Sequence, residues 1–267
     1  MTTATPPRRK WHLQRWLLVL AAAMLAYSGW STYDVRSALK EARALGWVVE
    51  YTDPIEEIEE DWKEAFRKET WLDGVTRVDM PTSEDLEQHR DIAHRLNPKA
   101  LGIVNAATLC DLSALRALPG LREVVLYGCT GLTNVDGLKK LSSLERMKLD
   151  RCTQLSNVDV LKNLSALQEL YLTDCTALRS VDALKDLPAL RKLDLTGCTG
   201  LTNVDVLKNL LALRDIYLTD CTGLTNVDAL KYLSDLETVR LYGCTGLTME
   251  TVASLQAARP NTRITEP

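Results

Sequence analysis

The sequence is poor in aromatic side chains and in the residues that most often carry enzymatic chemistry. Its 267 residues include one phenylalanine and three histidines, and two of these, His89 and His94, stand five positions apart. On a helix that separation turns the two side chains about 140° away from each other, so they do not form an H-E-x-x-H zinc pair. The sequence has no G-x-S-x-G motif, no P-loop and no dinucleotide-binding glycine pattern. These absences indicate a protein that is not an enzyme and uses no cofactor.

The chain also lacks closely paired cysteines and an excess of basic residues. None of its seven cysteines forms a C-x-x-C arrangement, so the sequence predicts neither a metal site nor a thioredoxin-like centre. A formal net charge of −4 argues against nucleic acid as the main partner. Acidic residues are absent from positions 1–33, and the basic residues there identify residues 1–15 as a basic tail.

A stretch without any charged residue follows at positions 16–33. Eighteen helical residues extend for about 27 Å, close to the ~30 Å thickness of membrane hydrocarbon, and tryptophan and tyrosine lie near both ends. We therefore expect a single-pass transmembrane signal anchor at 16–33, with a cytoplasmic N-terminus and an extracytoplasmic remainder. Unpaired cysteines suit a reducing compartment better, unless burial makes them inert. A cleaved signal peptide on a secreted protein and a mitochondrial presequence remain as alternatives.

The dominant feature of the sequence is a repeat of 23 residues. In the unit 187–209, Leu193 and Leu195 alternate with polar residues, which is the period of a half-buried strand. Apolar residues then recur every third position, which favours a short 3₁₀ turn. One unit cannot bury its apolar face alone, so neighbouring units must stack. Each unit carries one cysteine, and the six repeated positions are Cys129, Cys152, Cys175, Cys198, Cys221 and Cys244.

The pattern L-x-x-L-x-L-x-x-C-x-x-L resembles the leucine-rich-repeat superfamily, with Cys where many members have Asn. The tail of the unit, LTNVDVLKNL (201–210), resembles the internalin-type bacterial repeat. This resemblance implies an α/β solenoid over residues 98–267, with a parallel sheet on the concave side and short 3₁₀ or helical turns on the convex side.

Before the repeats, the sequence predicts the order strand–helix–strand–helix, with a Trp-led strand WVVEY (47–51) and a V-x-x-V-D strand in VTRVDM (75–80). With this order, residues 34–97 resemble the N-terminal capping region of bacterial single-pass leucine-rich-repeat proteins. We expect them to form a separate α/β adapter, with strands at 47–51 and 75–80 and helices at 34–45, from 53 onward and at 83–96. A degenerate first repeat follows, in which Ala106 replaces the cysteine. After the last repeat, Thr248 is predicted to begin a helix, and residues 261–265 are predicted to form a final strand.

Three columns of identical residues run through the repeats. We predict that the cysteines are buried as six reduced thiols and bond backbone groups, because neighbouring repeats lie about 4.8 Å apart, wider than the ~3.8 Å between disulfide Cβ atoms. The aspartates are predicted to cap the short turns, and the lysines to form a solvated convex face. The aspartates are Asp136, Asp159, Asp182, Asp205 and Asp228, and the lysines are Lys139, Lys162, Lys185, Lys208 and Lys231.

Function is expected on the outward side of the strands, where residues vary while the core positions stay constant. Tyrosines interleaved with charges are typical of protein-binding surfaces. The residues predicted to bind a protein partner are Tyr127, Lys148, Tyr171, Asp194, Tyr217, Arg240 and Tyr242. The sequence therefore predicts a membrane-anchored binding module that recognises a protein with its concave sheet. The alternatives are a subunit of a membrane complex that uses Trp47, Trp62, Trp71 or the convex face for assembly, and a sheet that is merely solvated.

Overall fold

The computed structural model describes residues 37–38, 40–51, 75–80 and 98–265. Its strands form one sheet in which β1 to β10 follow one another in chain order. They are β1 (Val48–Tyr51), β2 (Val75–Met80), β3 (Ala100–Val104), β4 (Glu123–Tyr127), β5 (Arg146–Lys148), β6 (Glu169–Tyr171), β7 (Lys192–Asp194), β8 (Asp215–Tyr217), β9 (Thr238–Arg240) and β10 (Arg263–Thr265). β1 and β2 are antiparallel, and every later pair is parallel. The 23-residue period thus gives each repeat one strand in a parallel sheet, as the sequence predicts.

Short 3₁₀ helices return the chain from one strand to the next. They span Ser113–Ala117, Asp136–Lys140, Asp159–Asn163, Asp182–Asp186, Asp205–Asn209 and Asp228–Tyr232. Each is five residues long, which agrees with the short lengths that 3₁₀ geometry supports. The predicted turn of helix in each repeat is therefore confirmed.

Among the described residues, one hydrophobic core lies between the sheet and the 3₁₀ helices. In the unit 187–209 the leucines Leu190, Leu193, Leu195 and Leu207 are fully buried. The same positions are buried in the neighbouring units, so the core is continuous from one repeat to the next. Burying a leucine side chain stabilises the fold by roughly 1.5–3 kcal/mol. Stacking thus supplies the apolar burial that one isolated repeat lacks.

The six repeated cysteines form a buried column of free thiols, which we call the cysteine ladder. Each thiol from the second onward donates to a carbonyl oxygen of the preceding repeat. The Sγ–O distance is 3.2 Å from Cys198 to Leu172, 3.1 Å from Cys221 to Leu195 and 2.9 Å from Cys244 to Leu218. Burial raises the pKa of the Cys198 thiol to about 12, so this thiol keeps its proton at neutral pH. In the structure these cysteines thus face inward and bond backbone carbonyl groups.

The predicted capping role of the aspartate column is wrong. Asp205 is the first residue of its 3₁₀ helix, and its own backbone N–H donates to Asn203 Oδ1 at 2.5 Å. Asn134, Asn157 and Asn226 make the same bond to the residue two positions later, and Ser180 Oγ replaces it in the remaining repeat. The side chain two residues before the aspartate therefore forms an Asx- or ST-type turn that starts the 3₁₀ helix.

The two ends of the sheet differ in how they are closed. At the C-terminal end a helix, Met249–Ala258, begins at Thr248, whose side chain accepts a bond from Thr251 N at 3.2 Å. β10 then pairs with β9, so the predicted final helix and strand are both confirmed. At the other end of the sheet, β2 pairs with β3 and β1 pairs with β2. β1 lies within the strand predicted for residues 47–51, and β2 coincides with the strand predicted for residues 75–80.

The degenerate first repeat also folds as predicted, since Leu101, Ile103 and Ala106 are buried in register with the repeats that follow. Residues 40–44 are helical, and Gly46 follows them with φ +77°, a conformation that glycine adopts without strain. Trp47 is only 3% exposed, so it packs in the core and offers no contact surface of the kind expected for assembly.

The other predictions for the N-terminal region lie outside the described residues. They are the anchor at 16–33, the helices from 53 onward and at 83–96, and the contacts of Trp62 and Trp71. Within the part of the chain that the structure describes, no helix has both the length and the apolar character needed to cross a membrane.

Candidate functional site

The candidate site is the outward surface of β4 to β9, which we call the sheet face. In β4 burial alternates along the strand, so Glu123, Val125 and Tyr127 point away from the core. The parallel register then aligns the equivalent residues of each later strand. The central column of the sheet face is Val125, Lys148, Tyr171, Asp194, Tyr217 and Arg240.

One end of the sheet face is occupied by a network of ion pairs centred on Arg146. Arg146 Nη1 lies 3.0 Å from Glu123 Oε2. On its other side, Arg146 Nε and Nη2 bond the two carboxylate oxygens of Glu169 at 3.0 and 3.1 Å. These bonds raise the pKa of Arg146 and lower that of Glu169, because each charge stabilises the other. The guanidinium of Arg146 is therefore already paired with the carboxylates of Glu123 and Glu169.

A second arrangement runs along the middle of the sheet face and alternates cations with tyrosine rings. Lys148 Nζ lies 5.2 Å from the centroid of the Tyr171 ring, and Lys192 Nζ lies 5.2 Å from the same centroid. Lys192 Nζ is also 5.1 Å from the centroid of Tyr217, and Arg240 Cζ lies 4.7 Å from that centroid. We call these five residues the aromatic–cation stack. All its distances fall within the ~6 Å range of cation–π attraction.

The network and the stack meet at Tyr171. Its hydroxyl donates to Glu169 Oε2 at 2.9 Å, which fixes the orientation of the ring. Burial and the Glu169 carboxylate raise the pKa of Tyr171, so its hydroxyl stays neutral and remains a donor. The stack is therefore held in place by hydrogen bonds as well as by its ring contacts.

The structure brings together four of the seven residues predicted to bind a partner, namely Lys148, Tyr171, Tyr217 and Arg240, as members of the stack. Asp194 lies in the central column between the two tyrosines, and its Oδ1 accepts a bond from Thr196 N at 2.9 Å. Tyr242 lies beyond β9 and is 69% exposed. Tyr127 stands apart from the stack, at the end of β4.

Sequence reasoning did not single out Lys192, which the structure places between the two rings. Its strand register sets it beside Asp215, which suggests an ion pair rather than a ring contact. The signal that could have revealed it is the presence of tyrosines two strands apart, with a long cationic side chain on the strand between them.

A backbone regularity borders the sheet face where the strands end. The residue before each cysteine of the ladder has a left-handed φ, as does Asn105 before Ala106. These residues are Asn105, Gly128, Arg151, Asp174, Gly197, Asp220 and Gly243. Glycine, asparagine and aspartate tolerate this conformation best. Arg151, at φ 57°, is the exception, and its Nε lies 3.7 Å from Asp174 Oδ2.

Asp150 is a polar residue at the border of the sheet face whose burial is incomplete. Burial raises the pKa of its carboxyl, and Oδ1 is enclosed without a hydrogen-bond partner among the described residues. No group of three or more His, Cys, Asp or Glu side chains in the described ranges is placed to hold a metal ion. The chemistry offered by the sheet face is therefore that of ring faces, ammonium and guanidinium groups and single carboxylates.

Comparison with known proteins agrees with this architecture. Residues 165–209 match the family described as Leucine Rich repeats (2 copies), and no curated protein matches the chain. Among solved structures, the chain is similar to internalin C2 from Listeria monocytogenes, with 22% identity and a TM-score of 0.56 over 73% of this chain and 82% of that one. It is also similar to the leucine-rich-repeat domain of the type III effector XopL, with 20% identity and a TM-score of 0.51 over 100% of this chain and 97% of that one. At these identities the likeness concerns the fold.

Proposed function

We propose that this chain, a leucine-rich-repeat protein with internalin-like repeats, binds a protein partner through the sheet face. The observation that carries the proposal is the aromatic–cation stack. Tyr171 and Tyr217 present ring faces on a regular sheet, with cations held between and beside them. Tyrosine and arginine are enriched among the residues that dominate binding energy at protein interfaces.

The rigidity of the sheet face supports binding rather than catalysis. Each strand is bonded to both neighbours through its backbone, and the side chains beneath it are fully buried in one continuous core. A rigid surface binds at low cost because few side chains need to be ordered on association. The sheet face also lacks the nucleophile–base constellation that covalent chemistry requires, so we propose a binding module and not an enzyme.

Photo-crosslinking in the cells that make the protein tests this proposal. We place p-benzoylphenylalanine at Val125, in the central column, or at Tyr232, which is 70% exposed at the end of a 3₁₀ helix. The expected result is a discrete adduct from Val125 and none from Tyr232. Adducts from Tyr232 alone would instead favour assembly through the convex side.

Alanine substitutions give the matched control. Replacing Tyr171 and Tyr217 together by alanine is expected to abolish the adduct from Val125, because both ring faces of the stack are lost. Tyr232→Ala removes the same side chain from the opposite side of a repeat and is expected to leave the adduct intact. Thermal unfolding of each variant establishes that a lost adduct does not reflect a lost fold.

Assembly through the convex side is kept as a second candidate because two apolar residues are exposed there. Leu211 is 61% exposed, where equivalent repeats carry serine or proline, and Tyr232 follows in the next repeat. Contiguous exposed apolar patches mark interfaces between proteins, and these two residues lie in neighbouring repeats. The crosslinking pair described above separates this candidate from binding by the sheet face.

We also propose that residues 16–33 anchor the chain in a membrane, with the repeats extracytoplasmic. The support is the uncharged sequence of that stretch and the basic residues before it. Protease added to intact membrane vesicles of known orientation tests the placement. Digestion of the repeats from the extracytoplasmic side is expected, and protection until detergent is added would place them inside. Recovery of the repeats without membrane would indicate a secreted protein.

A further inference from the structure

The cations of the sheet face divide into two classes according to their partners. Arg146 is bonded to two carboxylates. Lys148, Lys192 and Arg240 have tyrosine rings as partners, and no carboxylate of the described residues lies within ion-pair distance of them. A ring face attracts the positive charge but satisfies few of its N–H donors, of which lysine has three and arginine five. These three cations therefore keep donors available for a ligand.

Lys192 is the centre of this row. Its ammonium lies almost equidistant from two ring centroids, at 5.2 and 5.1 Å. A lysine on an open sheet ordinarily loses much side-chain entropy when it binds. Here the rings of Tyr171 and Tyr217 restrict the side chain before a ligand arrives, so association costs less.

The spacing of the row limits the shape of its ligand. Lys148, Lys192 and Arg240 lie on β5, β7 and β9, which are alternate strands of the sheet. Lys192 belongs to the column two residues before that of Lys148 and Arg240 along the strands, so the strand spacing alone does not set the distances between the charges. Lys148 Nζ and Lys192 Nζ each lie 5.2 Å from the centroid of Tyr171, and Lys192 Nζ and Arg240 Cζ lie 5.1 and 4.7 Å from that of Tyr217, so successive cations are at most about 10 Å apart. A polyproline II segment rises about 3.1 Å per residue and has three residues per turn, so every third side chain lies on one side at ~9.3 Å intervals. A β-strand would instead direct side chains three positions apart to opposite faces.

We infer that the aromatic–cation stack binds an extended, polyproline II-like segment of a protein partner that carries a carboxylate at every third residue. Each carboxylate accepts hydrogen bonds from one of Lys148, Lys192 and Arg240, and the segment between the carboxylates packs on Tyr171 and Tyr217. This inference rests on the proposed function and adds the chemistry and spacing of the partner.

The carboxylates of Asp194 and Asp215 on the sheet face influence whether an acidic or a basic ligand binds more tightly. Asp194 Oδ1 is engaged by Thr196 N–H. Asp215 lies beside Lys192 in the strand register but makes no ion pair with a described residue. An acidic ligand meets Asp215 as a repulsive neighbour, whereas a basic ligand would use it as a partner. Asp215→Asn is therefore expected to tighten binding of an acidic segment and to weaken binding of a basic one.

The test measures binding of the full-length chain to labelled peptides by fluorescence anisotropy. The peptide Glu-Pro-Pro repeated four times presents carboxylates at every third residue. Its controls are an isomer with the four glutamates adjacent, and two peptides in which lysine or glutamine replaces glutamate. We expect the spaced acidic peptide to bind about tenfold more tightly than the clustered isomer and the glutamine peptide, with an affinity that falls as salt rises.

Substitutions then locate the binding site. Lys192→Met is expected to weaken binding of the spaced acidic peptide about tenfold, and Arg240→Met serves as a second, independent variant at the end of the row. Lys185→Met removes an exposed lysine from a 3₁₀ helix and is expected to leave the affinity unchanged. Thermal unfolding is measured for each variant, and a transition at the same temperature as in the wild type confirms that the variant is folded.

Several results overturn the inference. They are equal or tighter binding of the lysine peptide, equal binding of the spaced and clustered acidic peptides, no effect of Lys192→Met and Arg240→Met, or no binding of the acidic peptide at about 1 mM. The helical alternative is tested with a helical peptide that carries glutamate at every seventh residue, about 10.5 Å apart. Tighter binding of this peptide than of the spaced acidic peptide would indicate a helical ligand. If an adduct still forms from Val125, only the partner chemistry is wrong; if no adduct forms there, the proposed function fails as well.

Discussion

The guanidinium of Arg151 lies over the ring of Tyr127, with Cζ 5.4 Å from the ring centroid. Arg151 also holds a left-handed φ of 57°, in a column whose other members are glycine, asparagine or aspartate. A left-handed conformation costs an ordinary residue roughly 1–2 kcal/mol. Strain of this kind persists where the surroundings maintain it, and it often marks functional positions.

Arg151→Asn is expected to stabilise the chain by up to about 1 kcal/mol, because asparagine tolerates the left-handed conformation better than arginine. Urea unfolding measures the change in the free energy of unfolding. The comparison variant is Arg179→Asn, which replaces another exposed arginine outside the column. A loss of stability in Arg151→Asn would show that the contacts with Tyr127 and Asp174 outweigh the strain.

Gly197→Ala is expected to destabilise the chain through two separate effects. Its φ of +72° disfavours any side chain, and a Cβ at this position would collide with Asp174 Oδ1. We expect a loss of about 1–2 kcal/mol in the free energy of unfolding from the left-handed φ, and a smaller additional loss because the flexible Asp174 side chain must move its carboxylate away from the new Cβ. Gly46→Ala is the control, because Gly46 has a φ of +77° but open space where the Cβ would lie.

A double-mutant cycle separates the two effects at Gly197. Asp174→Gly removes the colliding carboxylate, so it is expected to recover the steric part of the loss in the Gly197→Ala background. The remaining loss should match that of Gly46→Ala. Full additivity of Gly197→Ala and Asp174→Gly would contradict the collision.

The sequence predicts the fold well because its two signals are periodic. Alternation such as Leu193 and Leu195 determines which side of a strand is buried, and the 23-residue period determines the strand register. Both follow from packing, which acts identically in each repeat. The cysteine ladder was predictable for the same reason, since one buried position recurs in a constant environment.

Local competition between polar groups was not predictable from the period. Asn203 and Asp205 are both good capping residues, and only the point where the 3₁₀ helix begins decides that Asn203 is the acceptor. Lys192 was missed for a related reason. Its register favours Asp215, whereas the length of its side chain lets it reach the space between Tyr171 and Tyr217.

Stability is expected to fall at alkaline pH because of the cysteine ladder. Burial raises the pKa of Cys198 to about 12 in the folded chain, whereas an unfolded cysteine titrates at about 8.5. The folded state therefore holds this proton more tightly, and its stabilising effect is complete below pH ~8.5 and decreases as pH rises toward 12. Between these values one such thiol costs about 1.4 kcal/mol per pH unit.

Urea unfolding at pH 7, 9 and 10 checks this dependence. Cys198→Ala is expected to be less stable than wild type at pH 7 because Leu172 O loses its donor. The decline of Cys198→Ala between pH 9 and 10 should nevertheless be shallower by about 1 kcal/mol. Parallel declines in both proteins would mean that Cys198 does not take part in the alkaline destabilisation.

Thiol labelling tests whether the ladder opens from its ends. Cys110 is exposed, and the six thiols of the ladder are buried, so a short pulse of alkylating reagent on the folded chain should modify Cys110 alone. Longer exposure labels buried thiols only when their repeats open. In a solenoid each repeat contacts its neighbours alone, so terminal repeats open at lower cost than central ones.

We therefore expect Cys244 to be alkylated faster than Cys175, as measured by mass spectrometry of the labelled peptides. Leu255, which is fully buried in the C-terminal helix, provides the matched perturbation. Leu255→Ala should accelerate labelling of Cys244 far more than labelling of Cys175, because it loosens only the final packing layer. Labelling of all six thiols at one common rate, in wild type and in Leu255→Ala, would show that the solenoid unfolds as a single unit.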